Sequence, residues 1–201
     1  SARSAVIGQQ YNQRVGIMHR RTFIASLSIM GLTGCAAGAG LRSAPRPEID
    51  RSYALRGFNF AARAGLRISE SESFYPSGDV VWRGDPIGPR IPQIAAMFDE
   101  AASRNRAFLD GNVPVDVDVT LIRFHGVTNR TRYTVGGVYN VVFDMTIRRA
   151  GTDQVIEPAR RVVGNLDAPG GERASRLDDA GQTQKVRVTD FLTSLLRAQL
   201  G

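Results

Sequence analysis

Two segments alternate strictly between apolar and polar positions and read as half-buried strands. Pro114 to His125 places Val115, Val117, Val119 and Leu121 on one face and Asp116, Asp118 and Thr120 on the other. Tyr133 to Arg148 does the same through Tyr139, Val141, Phe143, Met145 and Ile147. Gly136-Gly137 marks a bulge or a close backbone approach. Val155 to Leu166 reads as a third strand, joined to the second by a turn over Ala150 to Asp153. Gly65 to Ser69 and Asp79 to Trp82 read as short strands flanking a turn-rich stretch, Ser73 to Gly78.

Helical periodicity governs two other segments. Ile91 to Leu109 carries Ile94, Met97, Phe98, Ala101, Ala102, Phe108 and Leu109 near a 3.6-residue repeat. Its proline lies in the first turn, where no backbone donor is lost, and Asp110-Gly111-Asn112 stops it. Thr183 to Leu200 carries Val188, Phe191, Leu192, Leu195 and Leu196, and Asp167 to Gly181 before it reads as a polar loop. Trp82, the only tryptophan, is expected to pack against the first helix. The order predicts an α+β domain: an antiparallel sheet of three long strands plus short N-terminal strands, with two helices packed on one face.

The N-terminal quarter is organised differently. Met18-His19-Arg20-Arg21 is a short basic segment, and Phe23 to Leu32 is an apolar run well short of the roughly 20 residues that span a bilayer. Leu32-Thr33-Gly34-Cys35 follows and resembles the bacterial lipobox: an aliphatic residue, two small residues and the cysteine whose thiol takes a diacylglycerol. Residues 18–34 therefore read as a lipoprotein signal peptide and residues 1–17 as an upstream or non-native extension. Residues 35–50, rich in Gly, Ala and Pro, read as a flexible tether, and residues 51–201 as a periplasmic domain. Arg20 and Arg21 with Phe23 also resemble a twin-arginine export signal; ordinary secretion fits as well. Ala36, where an aspartate would retain a proteobacterial lipoprotein at the inner membrane, points to the outer membrane. Acyl chains on Cys35, contributing about 0.8 kcal/mol per buried methylene, would hold the domain at a membrane surface.

Charge adds little. Four of the 26 Lys and Arg residues precede Cys35, leaving 22 against 19 acidic residues after it, a net +3. That is too dispersed for nucleic acid. A single cysteine and two distant histidines, His19 and His125, offer neither a disulfide nor a conventional zinc site, and no metal or other cofactor beyond the covalent lipid is expected. Asp116 and Asp118 share a strand face but have no evident histidine or lysine partner for acid–base work. Arg83-Gly84-Asp85 reads as a turn leaving a strand, and Gly164 to Gly171 lacks the spacing and lysine of a phosphate loop.

Three stretches carry a family resemblance: Asp79 to Pro86 (DVVWRGDP), Arg132 to Val138 (RYTVGGV) and Ala180 to Asp190 (AGQTQKVRVTD). With the lipobox, they resemble uncharacterised alphaproteobacterial lipoproteins defined by a domain of unknown function, the 6778 family. The resemblance implies an envelope location and supplies no activity or catalytic residues. More loosely, the element order is similar to the periplasmic domains of curli-secretion, penicillin-binding-protein-activator and transport-auxiliary lipoproteins. The resulting expectation is a non-enzymatic accessory module for another envelope protein, with Tyr133, Val135 and Tyr139 as a partner-facing edge. The rival is a carrier of a small hydrophobic or lipid ligand, held between sheet and helices.

Overall fold

A computed structural model describes residues 51–201; the signal, the lipobox with Cys35 and most of the tether lie outside the described residues. The elements are β1 (Tyr53–Ala62), β2 (Val80–Val81), α1 (Arg90–Arg106), β3 (Val113–His125), α2 (Asn129–Arg132), β4 (Gly137–Arg149), β5 (Val155–Ala168), α3 (Glu172–Asp179) and α4 (Gln184–Leu200). The class is α+β, but the sheet is mixed. Strands β3, β4 and β5 form the expected antiparallel meander, while β1 and β2 both run parallel to β3 along its other edge.

The parallel pairing follows from the connection. The chain leaves β1, crosses over the sheet through α1 and returns as β3, so the two strands point the same way. β1 itself was not expected, because its alternation is interrupted. Tyr53 and Leu55 face the core, Arg56 is an extra residue in the pairing with β3, and Phe58 and Phe60 resume the inward face after that bulge.

Four other expectations are corrected. Gly65 to Ser69 forms only an isolated bridge, Ile68 to Val80. The first helix ends at Arg106, since Leu109 must already bond Leu55 to start the return strand; Phe108 is thereby expelled to the surface under the guanidinium of Arg197. β4 begins at Gly137, not Tyr133. Gly136 takes φ 74°, and a side chain there would stand 2.5 Å from the Ala168 carbonyl. Finally, part of the polar loop is helix α3, which buries only Ala174.

Both long helices cover one face of the sheet. Phe98 of α1 sits 5.2 Å from the ring of Phe60 and 5.4 Å from that of Phe143, while Ile94, Met97, Val117, Leu121, Val188 and Leu192 fill the rest of the layer. α4 approaches β5 closely at Gly164, where a Cβ would stand 2.7 Å from Phe191 and Leu195. No helix among the described residues is long and apolar enough to cross a membrane.

The topology gives the domain two poles. Tyr53 of β1, Val113 of β3, Arg149 of β4 and Val155 of β5 lie at one end of the sheet, and Gly201 meets Arg51 there. This is the entry pole, where the chain arrives from the N-terminal segment. The 13 residues of β3 carry the sheet about 40 Å to the far pole, formed by residues 68–87 and by the β3–β4 and β5–α4 connections.

Candidate functional site

The far pole is built on Trp82. Its indole packs edge-on to Phe124 (centroids 5.6 Å apart) and near Tyr139 (6.4 Å), so its aromatic neighbours come from the strands. The indole Nε1 donates to Asp85 at 2.7 Å, and the other oxygen of Asp85 takes Lys185 at 2.6 Å, tying the turn to the first residues of α4. Gly84 lies so close over the indole that a methyl there would collide with it. The Arg-Gly-Asp tripeptide is therefore a structural turn. Arg83, with its side chain only 5% exposed, donates to the carbonyls of Ser69, Ser71 and Trp82 and pairs with Glu70 and Glu72.

This frame holds out an exposed loop. Thr128, which caps α2 by accepting from the Thr131 amide, donates to the Ser73 carbonyl at 3.0 Å. Thr131 donates to the Phe74 carbonyl at 3.3 Å, and Glu72 accepts from the Asn129 amide at 2.9 Å. With its backbone pinned, the loop leaves Tyr75 94% exposed and Phe74 under the guanidinium of Arg130. Between the loop, the end of β3 and Gly136 to Val138 lies a cavity of about 320 Å³ lined by Phe74, Tyr75, Pro76, His125, Val127 and Val138.

His125 Nδ1 faces the Gly78 carbonyl at 3.1 Å, and burial, with Arg123 nearby, lowers its pKa. The ring therefore stays neutral at pH 7, as a fixed hydrogen-bonding part of the wall.

The three residues expected at a partner edge separate. Tyr133 and Val135 are exposed, Tyr133 lining a separate depression with Arg83, Arg132 and Gln184. Tyr139 is 1% exposed, its phenol donating to Gln184 at 2.5 Å and pushed up to about 12 by burial. It is a core residue, because strand alternation points it inward with Val141 and Phe143. Sequence reasoning missed Phe74, Tyr75 and Ile87; the available signal was large apolar residues inside Ser-, Pro- and Gly-rich turns.

The Asp116–Asp118 face lines a second depression, about 450 Å³, with Asn59, Arg148 and the β4–β5 turn. Asp118 accepts from Asn59 at 2.8 Å and from Arg148 at 2.5 Å, and Asp116 accepts from the Gly151 amide at 3.0 Å. The pair serves to hold strands and turn together. Among the described residues, no group of three or more His, Cys, Asp or Glu side chains is placed to hold a metal ion.

Buried charges elsewhere are likewise partnered. Arg90 makes a two-pronged bond to Glu70 (2.8 and 2.9 Å), Arg132 pairs with Asp178, and Glu157 accepts from both Arg51 and Tyr53.

Fold and site define a small α+β domain whose polar interior is committed to structure and whose far pole carries exposed apolar groups. The chain belongs to a family of unknown function (DUF6778), whose model matches residues 53–201, from the start of β1 to Gly201. Among curated proteins and solved structures, nothing matches the chain.

Proposed function

We propose that this protein is a lipid-anchored envelope lipoprotein whose domain works as a non-enzymatic, protein-binding accessory module in envelope assembly or transport. The anchor is the acylated Cys35, exposed by cleavage after Leu32-Thr33-Gly34, and Ala36 favours the periplasmic face of the outer membrane. The observation that carries the binding role is the uneven distribution of exposed apolar side chains. Of eleven exposed large apolar side chains among the described residues, seven (Ile68, Phe74, Tyr75, Ile87, Tyr133, Val135 and Val138) lie at the far pole, opposite the end that receives the tether, while Phe108 and Val155 lie at the entry pole.

Solvent-exposed apolar groups gathered on one surface are the usual mark of a docking site, and aromatic residues supply most of the energy in such surfaces. Tyr75 and Phe74 are suited to that role: their backbone is already fixed, so little order remains to be imposed on binding.

A photo-reactive residue introduced at Tyr75 or Val135 in cells making the acylated protein tests the reading. It should yield one discrete crosslinked protein species, while the same residue at Val155, on the entry pole, should not. Crosslinking that is absent from the far pole, or equal at both poles, would refute it.

A further inference from the structure

We infer that the entry pole is a bilayer-facing surface that binds anionic phospholipid headgroups and so orients the domain with its far pole outward. This rests on the reading of Cys35 as a membrane anchor. At this pole Arg51, Arg106 and Arg149 are exposed and Arg160 and Arg197 half-buried. Of the acidic groups there, Glu157 is buried and taken up by Arg51, Tyr53 and Arg160. Asp110 and Asp153 are exposed, and Asp116 lies on the neighbouring sheet face, bonded to Gly151. With Arg51 and Glu157 offsetting each other, four arginines stand against Asp110, Asp153 and Asp116, a positive excess of one charge.

Phe108 supplies the apolar element. It is 62% exposed, with the Arg197 guanidinium 4.0 Å from its ring centre. An aromatic ring paired with a guanidinium is suited to the boundary between headgroups and acyl chains, the ring entering while the charge meets phosphate. Part of the arginine charge complements the C-terminal ends of α1 and α4, which both finish at this pole. That role does not account for Arg149, which lies outside both helices.

The covalent link makes a modest surface sufficient. Cys35 precedes Arg51 by 16 residues, a reach of at most about 55 Å even when fully extended. The entry pole is thus held at high effective concentration near the bilayer, where weak headgroup contacts become populated.

The test uses the full acylated protein in nanodiscs of phosphatidylcholine alone or of phosphatidylcholine with phosphatidylglycerol. Amide hydrogen exchange over residues 106–112 should slow several-fold in the anionic discs. The effect should disappear near 1 M salt, where screening acts within about 3 Å, and in the double variant Arg106→Ser/Arg149→Ser. Arg130→Ser, at the far pole, should retain it. Equal exchange in both discs, or protection confined to residues 74–76, would overturn the inference. Intact mass reports acylation separately, so an unmodified Cys35 would remove the anchor while the exchange comparison still judges the surface.

Discussion

The phenol of Tyr53 donates to Glu157 Oε1 at 2.8 Å, joining the first residue of β1 to the start of β5. Arg51 reaches the same carboxylate at 3.1 and 3.3 Å, and Arg160 bridges it to the carbonyl of Gln199 near the end of α4. One buried carboxylate thus fastens the point where a membrane tether would pull on the domain. Burial alone would raise the Glu157 pKa. The bonds from Arg51 and Tyr53 and the charges of Arg51 and Arg160 outweigh it, holding the group below its ordinary 4.5.

Because the folded value is depressed, the contribution of Glu157 is complete above the ordinary glutamate range. It is lost as pH falls through the folded value. Wild-type stability should therefore decline below about pH 4.5, and Glu157→Gln should flatten that part of the profile. Tyr53→Phe should cost about 1.5–3 kcal/mol at neutral pH, in keeping with a hydrogen bond to a charged group. Urea unfolding across a pH series measures both. An unchanged acid profile in Glu157→Gln would dismiss the clamp.

The turn at Trp82 makes a second prediction. Gly84→Ala places a methyl into the indole and should destabilise by about 2 kcal/mol or more. Asp85→Ala removes the partner of the buried Nε1 and of Lys185, at about 1–3 kcal/mol. Chemical denaturation followed by Trp82 fluorescence reads both. If Asp85→Ala is neutral, the tripeptide is not a structural turn.

On the same covered face of the sheet, Gly164→Val should separate α4 from β5. The added branches meet Phe191 and Leu195, which are already in the packed layer, and overpacking of this kind costs about 1–3 kcal/mol. A thermal midpoint equal to wild type would show that the helix does not sit where described.

How much of this was legible depended on how regular each pattern was. α4 was readable because Val188, Leu192 and Leu196 recur on one face without interruption. β3 was readable because its valines alternate strictly with aspartates. β1 was missed because the bulge at Arg56 shifts the inward set from Tyr53 and Leu55 to Phe58 and Phe60, and no local rule signals a parallel partner about sixty residues away. α3 was missed because a short helix that buries one alanine leaves no apolar stripe.

At the site, the exposure of Tyr133 and Val135 was anticipated for a different reason from the one found. They were read as the start of a strand, whereas Gly136, with positive φ, ends a turn there. Tyr139 lay on the inward face of its own alternation, and that pattern outweighed its polar hydroxyl. The exposed loop of Phe74 and Tyr75 depends on Thr128 and Thr131, more than fifty residues away, and that relationship exists only in the fold.

The exposed apolar side chains of the far pole are expected to be dispensable for stability. Tyr75→Ser and Val135→Ser remove side chains that stand in solvent, so unfolding free energies should stay within about 0.5 kcal/mol of wild type. Partner crosslinking from a reporter at Ile87 should fall sharply in the same variants. A large loss of stability would make these residues part of the core and remove the case for a docking surface.

The most direct test of the account is the intact mass of the protein extracted from membranes of cells expressing the full gene. The reading requires a polypeptide beginning at Cys35 and carrying a diacylglycerol and an N-acyl chain, with Cys35→Ser abolishing both the processing and the lipid. A mature protein that begins elsewhere, or one that begins at Cys35 without lipid, would contradict it.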